Sequence, residues 1–375
     1  MKKKSQIVII GGGLAGLTSA IHLCSYGFKV YVIEKDTYPN HKVCGEYISA
    51  EILPYLESLG IQLNSLSPKH ISKLIYSTPS GNKIESELDL GGIGLSRFAL
   101  DHFLYLKALE LGVEILQDLA INVLFENDMF KVETSKNKSI ECEIVLGGYG
   151  KRSNLDKKLN RGFIANKNGW LAIKAHYSNA NFPDDTVELH NFDGGYCGLS
   201  KTETGAVNVC YLATYQSFKQ YKDPEEYKLQ VLCKNPYLKD FFTNSEDIFE
   251  KDLSIAQISF EKKTTIEDHI LMLGDAAGLI HPLCGNGMAM AIHSAKLASE
   301  AVINNYSTQG VDRKAMEKEY VTKWNSNFKS RLRFGGILQK ILLNPSLAEG
   351  TQKLVSLMPG ILPFIIRKTH GNPVV

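Results

Sequence analysis

The chain has 375 residues, which is long enough for two lobes that each bury a substantial core. Its 42 basic and 40 acidic residues give a net charge of +2, and this balance argues against a nucleic-acid-binding surface. The seven cysteines are scattered without a C-x-x-C pair, so we expect neither a metal site nor a disulfide framework. No apolar run approaches the roughly 18 residues of a membrane-spanning helix. These features predict a cytoplasmic protein with reduced thiols.

The first predicted elements are a strand, a glycine turn, a helix and a second strand that ends at Glu34. Gly11, Gly13 and Gly16 fill the pattern G-x-G-x-x-G. The first glycine permits a tight turn, the second lets the backbone approach a pyrophosphate, and the third lets the helix pack on the strand. The helix N-terminus then faces the phosphates, and the acid about 20 residues further on bonds a ribose hydroxyl. The pattern predicts a dinucleotide site.

The next part of the chain alternates between helical and strand periodicity. Apolar stripes that end at a glycine predict helices, and alternating segments around turn residues predict strands. In order, the predicted elements are a helix at 50–59, a hairpin at 70–77 and 83–88, a helix at 94–111, a strand at 113–116, and a meander at 121–126, 130–134 and 140–146.

Residues 170–213 change to longer alternating segments, which predict an antiparallel sheet with one face lining a cavity. The later predicted elements are a helical region at 224–243, strands at 253–260 and 270–273, and helices at 287–306 and 313–334. No flexible linker separates these elements, so we expect two interleaved lobes.

A second motif follows the strand at 270–273 and begins Gly274-Asp275-Ala276-Ala277-Gly278. The strand delivers Asp275 to a position where its carboxylate can accept hydrogen bonds from ribityl hydroxyls. A turn at 282–287 then leads into a helix whose backbone N–H groups point at a flavin. A reduced flavin carries negative charge there, which a helix N-terminus stabilises.

Three motifs in this order resemble the FAD-dependent family that contains aromatic hydroxylases of the p-hydroxybenzoate hydroxylase type and the geranylgeranyl reductases. They are G-x-G-x-x-G with Glu34, Arg97-x-x-x-Asp101, and G-D-A-A-G followed by P-x-x-G-x-G. The resemblance implies an α/β fold in which a Rossmann-like FAD-binding domain is interleaved with a smaller antiparallel-sheet substrate domain and followed by a helical C-terminus. We assign residues 1–69, 92–165 and 265–330 to the first, 70–91 and 166–264 to the second, and 331–375 to the third.

The resemblance also implies a cofactor site in which Arg97 helps to hold FAD. Lys42-Val43-Cys44-Gly45-Glu46 resembles the K-P-C-G segment that passes near the isoalloxazine in the reductase branch. The predicted cofactor-binding residues are Gly11, Gly13, Leu14, Ala15, Gly16, Glu34, Lys35, Cys44, Gly45, Arg97, Gly274, Asp275, Gly278, Pro282, Gly285, Asn286, Gly287 and Met288.

Two departures from the family pattern bear on activity. The family's G-A-D-G is replaced by residues 147–150, in which Tyr149 stands for the Asp associated with NAD(P)H handling. The reductase pattern Y-x-W-x-F-P-x-x-x-G matches at Tyr196 and Gly205, but Gly198, Ser200 and Lys201 replace Trp, Phe and Pro. The first departure predicts sluggish reduction by NAD(P)H, and the second predicts a reshaped pocket.

The leading functional hypothesis is a monooxygenase that hydroxylates or epoxidises a small apolar or aromatic molecule. The alternative is a geranylgeranyl-reductase-like flavoprotein that reduces alkenes of a lipid or isoprenoid, and a lesser alternative is a non-catalytic flavin-binding protein. NAD(P)H is a candidate reductant in either enzyme. Cys44, Tyr196 and His281 are the candidate catalytic residues.

The carboxyl end, residues 335–375, is rich in large apolar residues flanked by Lys and Arg. Pro359 and Pro363 are expected to break the second apolar group, so it cannot form one long helix. Two interpretations are open. Short helices can cap the substrate domain, which is the usual fate of large apolar side chains, or the segment can make peripheral contact with a membrane surface.

Overall fold

The computed structural model of the protein describes residues 6–165, 169–358 and 360–375, which form a mixed α/β fold around two large sheets. The first sheet has six strands, in the spatial order Ile266–Glu267, Ile270–Met272, Ile144–Gly147, Gln6–Ile10, Lys29–Glu34 and Glu114–Gln117. From the second of these strands to the last, neighbours pair in parallel. Helices cover this sheet, which explains why its central strands are continuous apolar runs.

The helices of this lobe begin with Leu14–Ser25, which follows the glycine turn directly. The others are Leu53–Ser58, Arg97–Glu110, Asn154–Lys158 and Gly287–Asn304. Leu14–Ser25 packs against Gly287–Asn304. Small residues permit this contact, because both helices bury several Ala and Ser residues, and the first also buries Gly16. The two cofactor motifs are therefore joined by a direct helix pair.

The second sheet has nine strands. Eight follow the spatial order Glu246–Asp247, Trp170–Ser178, Val207–Thr214, Gly195–Lys201, Thr186–Phe192, Lys69–Ser77, Lys83–Gly94 and Tyr47–Ser49, and Leu253–Ile258 also pairs with Trp170–Ser178. The predicted antiparallel pairing holds except at one place, where Thr186–Phe192 runs parallel to Lys69–Ser77. The exception occurs where the hairpin of residues 69–94, which comes from a distant part of the sequence, pairs with Thr186–Phe192, the edge strand of the group formed by residues 170–214.

The predicted meander at 121–146 needs a correction. Ala120–Glu126, Met129–Thr134 and Ser139–Cys142 form a separate three-stranded sheet, whereas Ile144–Gly147 is a strand of the six-stranded sheet. The predicted strand at 140–146 is therefore two strands. The burial pattern changes between them from partly exposed to fully buried, a change that the alternation of apolar residues in the sequence does not reveal.

The remaining helices cover the second sheet and close the chain. Tyr215–Phe218, Pro224–Gln230 and Pro236–Thr243 pack against the nine-stranded sheet. After a small hairpin of Tyr306–Ser307 and Gly310–Val311 come Arg313–Leu343, Pro345–Leu357 and Ile361–Thr369.

The long helix Arg313–Leu343 is continuous across residue 331, where the sequence placed a domain boundary. Pro359 lies outside the described residues. Pro363 does not break a helix as expected, because it occupies the first turn of Ile361–Thr369, where proline is tolerated. No helix among the described residues combines the length and apolar character needed to cross a membrane.

Candidate functional site

A cavity with a volume of about 330 Å³ lies between the two sheets and beneath the C-terminal helices. Gly13, Gly148 and Gly274 line it, and each follows the carboxyl end of a parallel strand in the six-stranded sheet. In open α/β sheets this edge is where ligands bind, because the strands end there and the helices begin. The wall on the other side is the inner face of the nine-stranded sheet, including Tyr196 and Gly198.

The first glycine turn has the geometry that its motif predicts. Gly11 has a φ of +100°, and a Cβ there would lie 2.5 Å from the carbonyl oxygen of Gly148. A Cβ on Gly16 would lie 1.9 Å from the carbonyl oxygen of Gly11, so helix and strand pack without space for a side chain. Gly13 is different, because its nearest neighbour would be the Arg97 guanidinium at 3.6 Å. Gly11 and Gly16 thus shape the turn, while Gly13 presents its backbone to the cavity.

Glu34 holds this turn from outside the cavity lining. One carboxylate oxygen accepts a hydrogen bond from Gly12 N at 2.6 Å, and the other accepts one from Asp36 N at 3.0 Å. Tyr38 Oη donates to the Gly12 carbonyl. Each carboxylate oxygen retains a further lone pair, so Glu34 can still accept a ribose hydroxyl as the motif predicts. Lys35 is exposed and has Asp36 as its ion-pair partner, 3.9 Å away.

Arg97 brings three separate motifs together. Its Nε and Nη2 atoms each lie 2.7 Å from an oxygen of the Asp101 carboxylate, which is a two-point ion pair. The guanidinium also lies near the Cys44 side chain and 3.6 Å from the position of a Cβ on Gly13. The Asp101 carboxylate is additionally 3.2 Å from Lys42 Nζ. The predicted role of Arg97 at the cofactor is consistent with this position between the phosphate turn and the Cys44 segment.

Glu46 joins the Cys44 segment to the nine-stranded sheet. Its Oε1 atom accepts hydrogen bonds from Lys174 Nζ at 2.5 Å and Arg97 N at 2.7 Å, and its Oε2 atom lies 2.8 Å from His176 Nε2. The side chains of Glu46, Lys174 and His176 are all buried. Burial opposes the charged form of Glu46, but the hydrogen bond with His176 and the charge of Lys174 prevail and lower its pKa.

A polar row on the sheet fixes the backbone of the same segment. Asn208 Nδ2 donates to the Cys44 carbonyl at 3.2 Å, and Ser200 Oγ donates to the Gly45 carbonyl at 3.5 Å. Asn208 is the cross-strand partner of both Ser200 and His176, so the three polar side chains stand side by side on one face. Because all three bind the segment, Cys44 has a defined position at the cavity wall.

The second glycine motif approaches the cavity from the opposite side. Asp275 lines the cavity, and Lys263 Nζ donates to the Asp275 carbonyl at 2.7 Å and to the Lys151 carbonyl at 2.9 Å. Burial lowers the pKa of Lys263 to about 8. Gly285 has a φ of +64°, which completes the turn before the helix Gly287–Asn304.

Two helix N-termini therefore border one cavity, at Leu14 and at Gly287. Neither has a side-chain cap: Gly13 has no side chain, and the Asn286 amide donates to the Thr369 carbonyl at 3.0 Å instead. Uncapped N–H groups and the positive ends of two helix dipoles favour bound negative charge. The residues present fit an FAD, whose pyrophosphate the backbone at Gly13 and Leu14 would hold and whose flavin the backbone at Gly287 would face.

The predicted cofactor-binding residues divide into two sets. Those that line the cavity are Gly13, Leu14, Ala15, Cys44, Gly45, Arg97, Gly274, Asp275, Pro282, Gly285, Gly287 and Met288. Described residues that lie outside the lining are Gly11, Gly16, Glu34, Lys35, Gly278 and Asn286. Gly278 packs on Trp324, since a Cβ there would approach the indole ring to 2.9 Å.

The candidate catalytic residues are also divided. Cys44 and Tyr196 line the cavity. The Tyr196 hydroxyl accepts a hydrogen bond from Leu283 N at 3.2 Å, and burial raises the pKa of Tyr196 well above its usual value. His281 is outside the described lining, with its ring stacked on Phe260 at a centroid distance of 4.1 Å. Burial lowers the pKa of His281 to about 4.

Sequence reasoning missed the apolar end of the cavity. Side chains from the hairpin, the sheet and all three C-terminal helices form it: Leu74, Ile84, Leu88, Val187, Leu189, Leu338, Leu342, Val355, Leu362, Ile365 and Ile366. It also missed Lys174 and His176. The alternation of strand Trp170–Ser178 could have revealed them. Both occupy positions between the apolar residues that face the core, so their side chains point to the opposite, cavity-facing side of the sheet.

A model of the FAD binding domain family matches residues 4–317. The chain belongs to this family. Digeranylgeranylglycerophospholipid reductase 2 of Methanothermobacter thermautotrophicus is 24% identical over 355 residues, which are 90% of this chain and 88% of that protein. Conditioned medium factor receptor 1 of Dictyostelium discoideum is 22% identical over 350 residues, which are 86% of this chain and 68% of that protein.

Among solved structures, the flavin-dependent brominase Bmp2 has a TM-score of 0.78 at 17% identity, over 97% of this chain and 93% of that chain. This similarity establishes the fold shared by this FAD-binding family member. The α/β fold with two interleaved sheets and C-terminal helices is confirmed, as is membership of the FAD-dependent oxidoreductase family.

Proposed function

We propose that this FAD-dependent oxidoreductase reduces a carbon–carbon double bond in a lipophilic molecule. The supporting observation is the form of the cavity, which begins between two helix N-termini and Cys44 and continues between apolar side chains of the sheet and the C-terminal helices. An apolar substrate chain can occupy the second part while a double bond lies in the first. The relative named as a digeranylgeranylglycerophospholipid reductase is compatible with such a substrate class.

The chemistry needs one hydride and one proton for each double bond. A bound, reduced FAD would supply the hydride to one carbon, and the protein must deliver the proton to the other. Arg97, Asp275 and the backbone at Gly13 and Gly287 would hold the cofactor. The apolar walls would keep water from the reacting atoms.

Cys44 is the proposed proton donor. Its side chain lines the cavity next to the Arg97 guanidinium, and its thiol carries a transferable proton. The backbone of the segment is fixed by Asn208 and Ser200, so the sulfur keeps its position during turnover. Tyr196 is the second candidate, because burial keeps its hydroxyl protonated.

Hydroxylation or epoxidation, the leading hypothesis from the sequence, is the second candidate function. The observation that favours it is the space at Gly198, where a Cβ would meet no atom closer than 3.8 Å. A bulkier, aromatic substrate would fit where the reductase pattern has Trp. This reaction would consume O2 with the reduced cofactor and leave an oxygen atom in the product.

The electron donor is a separate proposal. Tyr149 replaces the family's Asp, and its hydroxyl lies 3.3 Å from Met272 Sδ in a half-buried position. We infer that free NAD(P)H reduces the flavin slowly and that another reductant or a bound substrate is needed. Stopped-flow bleaching by NADPH, with and without substrate, measures this directly, and rapid bleaching by NADPH alone would contradict it.

A single experiment separates the candidate functions. The FAD-loaded protein is reduced anaerobically with dithionite and mixed with a detergent-solubilised geranylgeranyl lipid in deuterated water. We expect the yellow absorbance to return and the product to carry two solvent deuterons per reduced double bond, one on each carbon, because the hydride of a dithionite-reduced flavin also comes from the solvent. Cys44→Ala should slow this return at least tenfold, whereas Cys210→Ala, a thiol in the same cavity lining, should not.

Two other outcomes of this experiment would each support a different candidate function. Reoxidation only when O2 is admitted, with an oxygenated product from an aromatic or alkene substrate, would establish the monooxygenase instead. Stoichiometric flavin with no turnover of either kind would favour a binding protein.

A further inference from the structure

The helix Pro345–Leu357 is apolar on two opposite sides. Ala348, Gln352 and Val355 lie on the inner side, where they line the cavity. On the outer side, Leu347, Leu354 and Leu357 are 53%, 50% and 81% exposed. A helix that covers a cavity in water ordinarily has a polar outer side. The outer side of this helix is therefore built to contact something other than water.

The apolar outer side continues beyond the end of the helix. Met358 is 53% exposed, and Phe364 on the next helix is 50% exposed. That next helix, Ile361–Thr369, also lines the cavity with its inner side. We call Leu347, Leu354, Leu357, Met358 and Phe364 the outer apolar face. Exposed apolar groups of this kind mark contact sites for membranes or proteins.

The charges around the outer apolar face identify the partner. Residues 331–375 contain a single acid, Glu349, and the following cations: Arg331, Arg333, Lys340, Lys353, Arg367 and Lys368. Glu349 accepts hydrogen bonds from Ser80 and Asn82 at 2.6 and 2.8 Å, so its charge is already engaged. The exposed cations include Lys340, Lys353 and Lys368. Apolar side chains edged by cations are complementary to a bilayer that contains anionic lipids.

We propose that the outer apolar face inserts into the surface of an anionic bilayer and that this contact places the cavity next to the lipid phase. The inner and outer sides of the same two helices then face the substrate and the membrane. Passage of a lipophilic substrate from bilayer to cavity rests on the proposed function, whereas the membrane contact does not.

The test is flotation of the FAD-loaded protein with vesicles. We expect the protein to float with phosphatidylcholine vesicles that contain phosphatidylglycerol, to float less with pure phosphatidylcholine, and to be released by high salt. The double substitution Leu354→Glu and Leu357→Glu should lower the partition coefficient at least tenfold. Leu229→Glu is the matched control, because Leu229 is 58% exposed on the helix Pro224–Gln230, which is not part of the outer apolar face.

Flavin content and thermal unfolding identify any variant that does not fold. Hydrogen exchange in the wild type provides a measurement without substitutions, since vesicles should protect residues 345–358 selectively.

A wild type that stays at the bottom with anionic vesicles would overturn the inference, whatever its activity on alkenes. A double variant that folds and floats as well as the wild type would also overturn it. So would a wild-type dimer that the double substitution dissociates, because a second copy of the chain would then cover the outer apolar face.

Discussion

Lys174 Nζ lies 2.5 Å from Glu46 Oε1, and neither side chain is accessible to solvent. The pair joins the nine-stranded sheet to the segment that presents Cys44, and the same Glu46 oxygen accepts a hydrogen bond from Arg97 N. One carboxylate thus fixes the relative position of the sheet, the Cys44 segment and the Arg97 helix. The sequence motifs predicted Cys44 and Arg97 as site residues, but they did not predict that the Glu46 carboxylate connects them.

Replacing Lys174 should strongly lower the free energy of unfolding. Lys174→Met leaves Glu46 buried without its cation, and breaking a buried pair in this way costs about 3–5 kcal/mol of unfolding free energy. Lys73→Met is the control, since Lys73 pairs with Asp185 at 2.9 Å on the surface, where solvent screens the pair and its loss should have far less effect. Urea unfolding of both variants measures the difference. Equal costs would contradict the anchoring role of the buried pair.

The stability of the protein should fall with acid between pH 6.5 and 4. Burial is the largest cause that lowers the pKa of His22, His281 and His293 to about 4, from 6.5. In this window the unfolded chain binds protons that the folded chain does not, so protonation favours unfolding. Three such groups give a slope of up to about 4 kcal/mol per pH unit. His293→Met should reduce the slope by about 1.4 kcal/mol per pH unit, as urea titrations at several pH values can show.

Two glycines of the first turn should respond differently to alanine. Gly16→Ala places a methyl group 1.9 Å from the Gly11 carbonyl, so we expect loss of folded protein. Gly13→Ala meets no atom closer than 3.6 Å, so the fold should persist while the methyl group blocks the approach of a pyrophosphate. Thermal unfolding and bound flavin absorbance, measured together, distinguish the two. Full flavin content in Gly13→Ala would place the phosphates elsewhere.

Gly198 should accept a side chain where neighbouring Gly195 cannot. The nearest atoms to a Cβ on Gly198 are backbone oxygens at 3.8 and 4.0 Å, whereas a Cβ on Gly195 would lie 2.2 Å from the Leu212 carbonyl. We expect Gly198→Ala to be neutral and Gly195→Ala to destabilise the protein.

Gly198→Trp should fill part of the cavity and restore the wall of the reductase pattern. Its expected signature is at least a tenfold rise in KM for bulky aromatic substrates, with the flavin content unchanged. Unchanged kinetics would mean that substrates do not reach this wall.

The glycine motifs were predictable from sequence because backbone geometry dictates them locally. Gly11, Gly16 and Gly285 sit where only glycine fits or where φ is positive, and their spacing was visible in the printed sequence. Glu34 was located correctly at the end of its strand, although its bonds to Gly12 and Asp36 were not foreseen.

The cavity walls were not predictable in the same way. Lys174 and Glu46 are 128 residues apart, and only the folded chain brings them together. Leu342 and Val355 belong to the C-terminal segment that the sequence left open between a cap and a membrane contact, because periodicity gives a buried face but not what that face encloses. His281 shows the converse, since a polar residue in a motif can still pack against a ring, here Phe260.

The helices that cover the cavity are fastened at both ends. At one end they continue from the helix Arg313–Leu343. At the other, Val374 N donates to the Glu51 carbonyl at 2.7 Å, and Arg331 Nη1 and Gly371 N both donate to the Glu51 carboxylate. A cover held in this way cannot swing aside as a free tail. Under the proposed function, a lipophilic molecule would leave the cavity only when these bonds to Glu51 open, so its residence time would be set by the rate of that opening.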